Sequence, residues 1–182
     1  MKKAIILFGC FLIFQIVKSQ EAEIGYRTTD VGGEYLTYAD GSVIGLHIAS
    51  NARLNHSFQA FLGYYMAKDN TPSYYYNSTK GGLGIGIGYR YYTKPRPDGF
   101  FIGIKANLFT NKIILSSQPS DGPYTSMIFI PAFQTGYMFL INDMFFITPS
   151  VGVGLKTNLQ NKLTTDKKKT IVMPGISCGF KF

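Results

Sequence analysis

Tryptophan is absent from the 182 residues, cysteine and histidine occur twice each, and charged side chains make up only 15% of the chain. So little charge excludes an acidic or basic disordered tail and a solvated coiled coil. Of the two cysteines, Cys10 falls in an N-terminal segment expected to be removed, which leaves Cys178 as the one thiol of the mature chain. An intramolecular disulfide and a cysteine-based metal site are thereby excluded. Beyond Gln20 there is also no uninterrupted apolar stretch approaching the roughly 20 residues of a spanning helix. If the mature chain enters a membrane it must do so as strands, because backbone groups in lipid have to be paired within the protein.

Glycine, tyrosine and phenylalanine are plentiful, at 20, 13 and 15 residues. The formal charge of +8 falls to +5 once Lys2, Lys3 and Lys18 leave with the N-terminal segment, too small an excess to indicate nucleic-acid binding. That segment has the layout of a secretory signal: Met1-Lys2-Lys3, an apolar run from Ala4 to Val17, then Lys18-Ser19. Residues 1–19 are therefore expected to be a signal peptide, and residues 20–182 a single domain beginning at Gln20. A retained anchor and lipidation at Cys10 are the alternatives, the first disfavoured by the short apolar run and the second by the few apolar residues before Cys10.

Gly82 to Tyr92 carries the most information. Leu83, Ile85, Ile87, Tyr89 and Tyr91 alternate with Gly84, Gly86, Gly88, Arg90 and Tyr92, the period of a strand with one greasy face. Glycine and charge on the other face are the wrong filling for a soluble barrel or sandwich, and lipid outside would explain the pattern. The alternation recurs around Ile44 to Ile48, Phe58 to Tyr65, Phe100 to Leu108, Ile147 to Leu155 and Val172 to Phe182, and less cleanly over Ala22 to Thr29 and Ser126 to Phe139. The reading is an all-β, eight-stranded antiparallel up-and-down transmembrane β-barrel.

Connection lengths alternate as such a barrel requires. Asn51 to Asn55, Lys94 to Gly99 and Leu140 to Met144 are short, whereas Asp30 to Gly41, Ala67 to Thr79, Leu115 to Thr125 and Asn158 to Lys169 are long and polar. An extension of the first hairpin through Gly32 to Tyr38 is a second possibility for that loop. Outward aromatics at the short-turn end, namely Tyr91, Phe100, Tyr137, Phe139, Phe145, Phe180 and Phe182, predict an aromatic girdle. Pro131, Pro149 and Pro174 fall inside neighbouring strands, where each removes a ladder donor, so bulges or register slips are expected there.

The signal segment, the eight alternating strands and the closing Gly179-Phe180-Lys181-Phe182 together resemble the small outer-membrane barrels of the outer membrane protein A membrane-domain and outer membrane protein X type. The resemblance implies a monomer in the bacterial outer membrane, with outer-membrane lipid and the barrel-assembly machinery as partners. It also implies that Ile176, Phe180 and Phe182 serve as an assembly signal.

Inward charges are expected at Arg27, Arg90, Lys105 and Lys181 against Glu23, forming a lumen polar network in which Lys181 pairs with Glu23. Arg90 and Lys105 are expected to be hydrated or bonded to Gln59, Asn107, Gln134 and Tyr92. Tyr74, Tyr75 and Tyr76 in one long loop and Lys167, Lys168 and Lys169 in another suit a recognition surface for an extracellular protein or glycan. His47 faces the lumen and His56 a short turn, so neither stands where a lipid-modifying enzyme needs its base, and neither suggests a metal. Gly84, Gly86 and Gly88 alternate within a strand and precede no helix, which sets them apart from a phosphate loop. No cofactor is expected. The functional reading is a structural, adhesive or ligand-binding role through surface loops; a narrow anion-selective pore or transporter is the alternative, and a lipid-modifying enzyme the third.

Overall fold

Side chains at successive positions of a strand point to opposite faces, and here the outward set is apolar while the inward set mixes glycine, aromatic and polar residues. The computed structural model describes residues 28–38, 41–53, 55–68, 76–94, 97–115, 124–159 and 168–182. All its regular elements are strands: β1 (Thr28–Tyr38), β2 (Gly41–Arg53), β3 (His56–Ala67), β4 (Tyr76–Lys80), β5 (Gly82–Tyr92), β6 (Gly99–Leu115), β7 (Tyr124–Ile141), β8 (Phe145–Asn158) and β9 (Lys169–Lys181). The segments β4 and β5 both pair antiparallel with β6, one after the other, and so form a single stave interrupted at Gly81. Eight staves result. Each pairs with its sequence neighbour, and β1 pairs with β9, closing the sheet.

The first stave is a correction to the sequence reading. Asp30 to Gly41, expected as a long loop, is instead β1 followed by a two-residue connection into β2, with Tyr38 opposite Gly41. Of the strand expected over Ala22 to Thr29, only Thr28 and Thr29 lie among the described residues, both in β1. The segment 1–19 also lies outside them.

The short connections fall where expected. Between β7 and β8, Asn142 and Asp143 adopt φ of 52° and 57°, the left-handed region that Asn and Asp tolerate best, and the Met144 amide bonds back to the Ile141 carbonyl. Between β5 and β6 the chain turns back through Gly99 at φ 79°.

Neither bulges nor slips occur at the three prolines. The β8–β9 register runs unbroken through Pro149 and Pro174, and the β6–β7 register through Pro131. Each proline instead stands where pairing lapses on one side. Pro131 has no partner on β8, Pro149 none on β7, and Pro174 lies just past the last β1–β9 pair, Leu36 with Gly175. The missing N–H is thus accommodated by local loss of a ladder contact while the register resumes beyond it.

Outside, Leu46, Leu62, Leu83, Ile85 and Ile87 each expose between 58% and 71% of their surface, part of an apolar band running round the barrel. So much contiguous apolar surface is untenable in water. Tyr91, Phe100, Tyr137, Phe139, Phe180 and Phe182 are exposed at the turn end, with Phe145 half-buried against the Phe180 ring at 5.6 Å. Cys178 also faces outward.

Candidate functional site in the barrel lumen

Eight staves enclose a lumen only wide enough for side chains to fill. Its contents follow from the inward positions of each strand. From the turn end upward, β1 presents Asp30, Gly32, Glu34, Leu36 and Tyr38, while β6 presents Phe101, Gly103, Lys105, Asn107 and Phe109. Apolar and polar residues therefore fall at matched heights. Tyr38, Val43, Phe61, Tyr65, Phe109, Ile128 and Ile171 belong to an apolar layer towards the loop end. Tyr92, Phe101, Met138 and Phe146 form a second one near the turns.

Glycine makes the large rings fit. A Cβ on Gly84 would collide with the Phe109 ring, and one on Gly136 would come within 2.8 Å of the Phe101 ring. On the inner face of β5, Gly84 makes room for the Phe109 ring, whereas Gly86 and Gly88 lie against the Asn107 and Gln59 amides. In the upper layer Tyr38 and Tyr65 stack at 5.9 Å with 11° between their planes.

Charge lies between the layers. Lys105 donates to Glu34 in an ion pair whose side chains expose only 4% and 2%. The Lys105 ammonium also sits 4.4 Å from the centre of the Phe61 ring. Burying two charges is costly unless they are paired, and here each is the other's counterion. Arg90 is buried on the same lumen face, its guanidinium 4.5 Å above the Phe101 ring and its Nε without a hydrogen-bond partner. His47 is buried, with its ring 5.8 Å from Phe146.

A second polar group closes the seam at the turn end. Lys181 of β9 pairs with Asp30 of β1 at 2.8 Å, and Asn51 of β2 donates to Asp30 at 3.1 Å and to Thr28 at 2.8 Å. Lys181 also reaches the Pro97 carbonyl at 3.4 Å, tying the β5–β6 turn across the barrel mouth to the seam.

These contacts revise the expected network. Lys181 pairs with Asp30 and not with the expected Glu23, which together with Arg27 lies outside the described residues. Lys105 finds an acid, Glu34, in place of amide partners. Both side-chain atoms of Gln59, the Asn107 Oδ1 and the Gln134 Nε2 have no hydrogen-bond partner. Glu34 and Asp30 are missing from the expected network because the first stave, Thr28–Tyr38, begins later in the chain than the alternation over Ala22 to Thr29 predicts. The Asp40-Gly41 dipeptide, a hairpin signal between two runs of strand, is the feature that identifies it.

Tyr74, Tyr75 and Lys167 lie outside the described residues, Tyr76 opens β4, and Lys168 and Lys169 are exposed where the chain enters β9. Ile176, Phe180 and Phe182 all point outward along β9. His56 is held at the turn end by the Tyr89 hydroxyl, 2.5 Å from its Nδ1. No cluster of His, Cys, Asp and Glu that could hold a metal ion occurs among the described residues.

Two solved structures share this fold. The N-terminal β-barrel domain of OprF from Pseudomonas aeruginosa superposes with a TM-score of 0.58 at 16% identity, over 87% of this chain and 99% of that one. The fold is that of the small outer-membrane barrels. Ail, the attachment invasion locus protein of Yersinia pestis, solved with the heparin analogue sucrose octasulfate, superposes with a TM-score of 0.50 at 8% identity, over 86% of this chain and 99% of that one. No protein-family model matches the sequence, and neither does any curated protein.

Proposed function

We propose that this barrel resides as a monomer in the bacterial outer membrane and acts through its surface loops, in a structural, adhesive or ligand-binding role, with a lumen closed to ions. The observation that carries the closed lumen is its layering: a cross-barrel Glu34–Lys105 pair between two apolar layers whose large rings fill the space left by glycine. With the interior committed to support, recognition falls to the connections at the loop end. Tyr74, Tyr75 and Tyr76 with Lys167, Lys168 and Lys169 supply rings and cations suited to an extracellular protein or a glycan. The complex of Ail with a sulfated sugar analogue favours the glycan for the lysine group. The reading assigns the protein no catalytic step.

Planar-bilayer recording of the purified protein tests it, with no steady channel expected. Reproducible anion-selective openings that vanish in Lys105→Glu would establish the narrow pore instead, a reading favoured by the unpartnered Asn107 Oδ1, Gln134 Nε2 and both amide atoms of Gln59. Replacing Lys167, Lys168 and Lys169 by Gln should abolish retention of the protein on an immobilised sulfated oligosaccharide. Unchanged retention removes the lysine group from the recognition surface.

A further inference from the structure

On the outer wall, towards the loop end, residues of β3, β5, β6 and β7 form a groove of about 220 Å³. Leu62, Leu83, Ile85, Leu108, Thr110 and Met127 line it, with the Gly84–Phe109 partners of the β5–β6 ladder between them. Directly loopward of the groove, Lys80 and Lys112 are partners in the β4–β6 ladder. We propose that the groove and the lysine pair bind a lipid whose headgroup carries a phosphate monoester, the phosphate on Lys80 and Lys112 and an acyl chain in the groove. The proposal rests on the membrane placement argued above.

Register, depth and charge each point to that ligand. The β5–β6 register, in which Gly84 faces Phe109, would set Gly81 opposite Lys112 if it continued. The break at Gly81 shifts the ladder by one residue and brings Lys80 there instead. That break is held by the Tyr64 hydroxyl, which donates to the Gly81 carbonyl at 3.1 Å. Directly opposed like charges weaken a ladder, and register irregularities concentrate at barrel rims and beside active sites. Depth follows from the strand. At about 3.3 Å per residue and a tilt of about 40°, β6 rises about 30 Å from Phe100 in the turn-end girdle to Lys112, against an apolar band of about 25 Å. The lysine pair therefore falls at the headgroup level of the loop-side leaflet, and the groove falls among the acyl chains below it, where Leu62, Leu83 and Ile85 are exposed. Charge selects the monoester. Among the described residues the acids are Asp30, Glu34, Asp98 and Asp143, all in the lumen or at the turn end, so none of them shares this site. Two cations at one register position match the roughly 1.5 to 2 negative charges of a phosphate monoester at pH 7 better than the smaller charge of a diester. The other opposed pair, Lys156 with Lys169, stands at lumen-side positions, and Lys156 donates to the Tyr65 hydroxyl.

The absence of tryptophan provides a direct test. Leu83→Trp places one fluorophore at the groove, and Tyr35→Trp places one three staves away on the same register row, in which Tyr35, Ile44, Tyr64 and Leu83 are successive partners. Each variant is reconstituted at neutral pH in phosphatidylcholine vesicles doped with equal fractions of acyl-brominated phosphatidic acid (a phosphate monoester), phosphatidylglycerol (a diester) or phosphatidylcholine. At Leu83→Trp, brominated phosphatidic acid should be enriched about three- to tenfold over phosphatidylcholine, the range expected from two surface ion pairs. Phosphatidylglycerol should be enriched less. Adding Lys80→Gln and Lys112→Gln should remove the preference, and Tyr35→Trp should show none. Equal quenching by phosphatidic acid and phosphatidylcholine at Leu83→Trp overturns the proposal. So does enrichment of phosphatidylglycerol to the level of phosphatidic acid, a preference that survives the two lysine changes, or an equal preference at Tyr35→Trp. Failure of every brominated lipid to quench Tyr35→Trp would instead refute the membrane placement.

Discussion

Glu34 and Lys105 meet across the width of the barrel, although β1 and β6 are separated by three staves on either side. An ion pair between adjacent strands only reinforces a ladder that already exists. This one braces opposite walls that share no backbone hydrogen bond.

Its removal should be asymmetric. Glu34→Ala or Lys105→Ala alone leaves a buried charge without a counterion and should cost about 3–5 kcal/mol, whereas the double change Glu34→Leu with Lys105→Met should restore most of that loss. Urea unfolding of the refolded protein in vesicles measures both. Additive losses would mean that the two groups are independently hydrated.

Outward and inward positions of β5 should respond in opposite ways. Arg at Ile85 or Ile87 should cost about 2–4 kcal/mol near mid-membrane depth. Gly86→Ser meets the Asn107 amide oxygen, which lacks a partner and can swing aside, and the Ala106 carbonyl at 3.2 Å, so it should be far milder. Gly84→Ala, which meets the Phe109 ring, should cost about 1–3 kcal/mol by overpacking. The same unfolding series ranks all four, and a ranking that puts Gly86→Ser level with Ile85→Arg would mean that the faces are reversed.

Phe182 has two roles that a well-chosen variant separates. Its backbone exchanges hydrogen bonds with Thr29 in both directions at 2.9 Å, while its ring points outward. Phe182→Ala keeps the seam bonds, so it should lower the amount inserted in cells and leave refolding in detergent nearly unchanged. Deleting Phe182 should also destabilise the refolded barrel, since it removes two bonds worth about 1 kcal/mol each. Normal cellular insertion of Phe182→Ala would remove the assembly-signal reading.

Processing near Ser19 is expected to place Gln20 at the mature N-terminus, with the protein in the outer-membrane fraction and its gel mobility changed by heating. Mass spectrometry and cold-gel electrophoresis check this. A soluble cytoplasmic product, or a band that heating does not shift, counts against it.

Facing and stave number were legible in the sequence because lipid outside and a narrow lumen inside impose opposite demands on alternate residues. β5 shows this without ambiguity. The first stave was legible only through the Asp40-Gly41 hairpin signal at its end, because its outward face offers only Val31 and Tyr35 as large apolar groups, and its inward face carries Asp30 and Glu34, which in sequence look like loop residues. The partners of Lys105 and Lys181 were lost with it. The effect of the prolines was also hidden, since whether a missing N–H shifts the register or merely interrupts one ladder depends on which neighbour that N–H would have faced. The ring-on-glycine contacts need the registers themselves: Phe109 finds Gly84 only because β5 and β6 align them as partners.

The pairing of β1 with β9 also bears on time. Every other stave can dock on a neighbour made just before it, but the contact between Thr29 and Phe182 joins the two extremes of the described chain. Until β9 arrives, β1 and whichever stave was made last both present open edges, a state that invites wrong pairing with other chains. Contacts so distant in sequence also come at a large loop-closure cost before they return anything. Closure is therefore a single late event, and the Asp30–Lys181 pair with its Asn51 support acts as the latch that holds it once made.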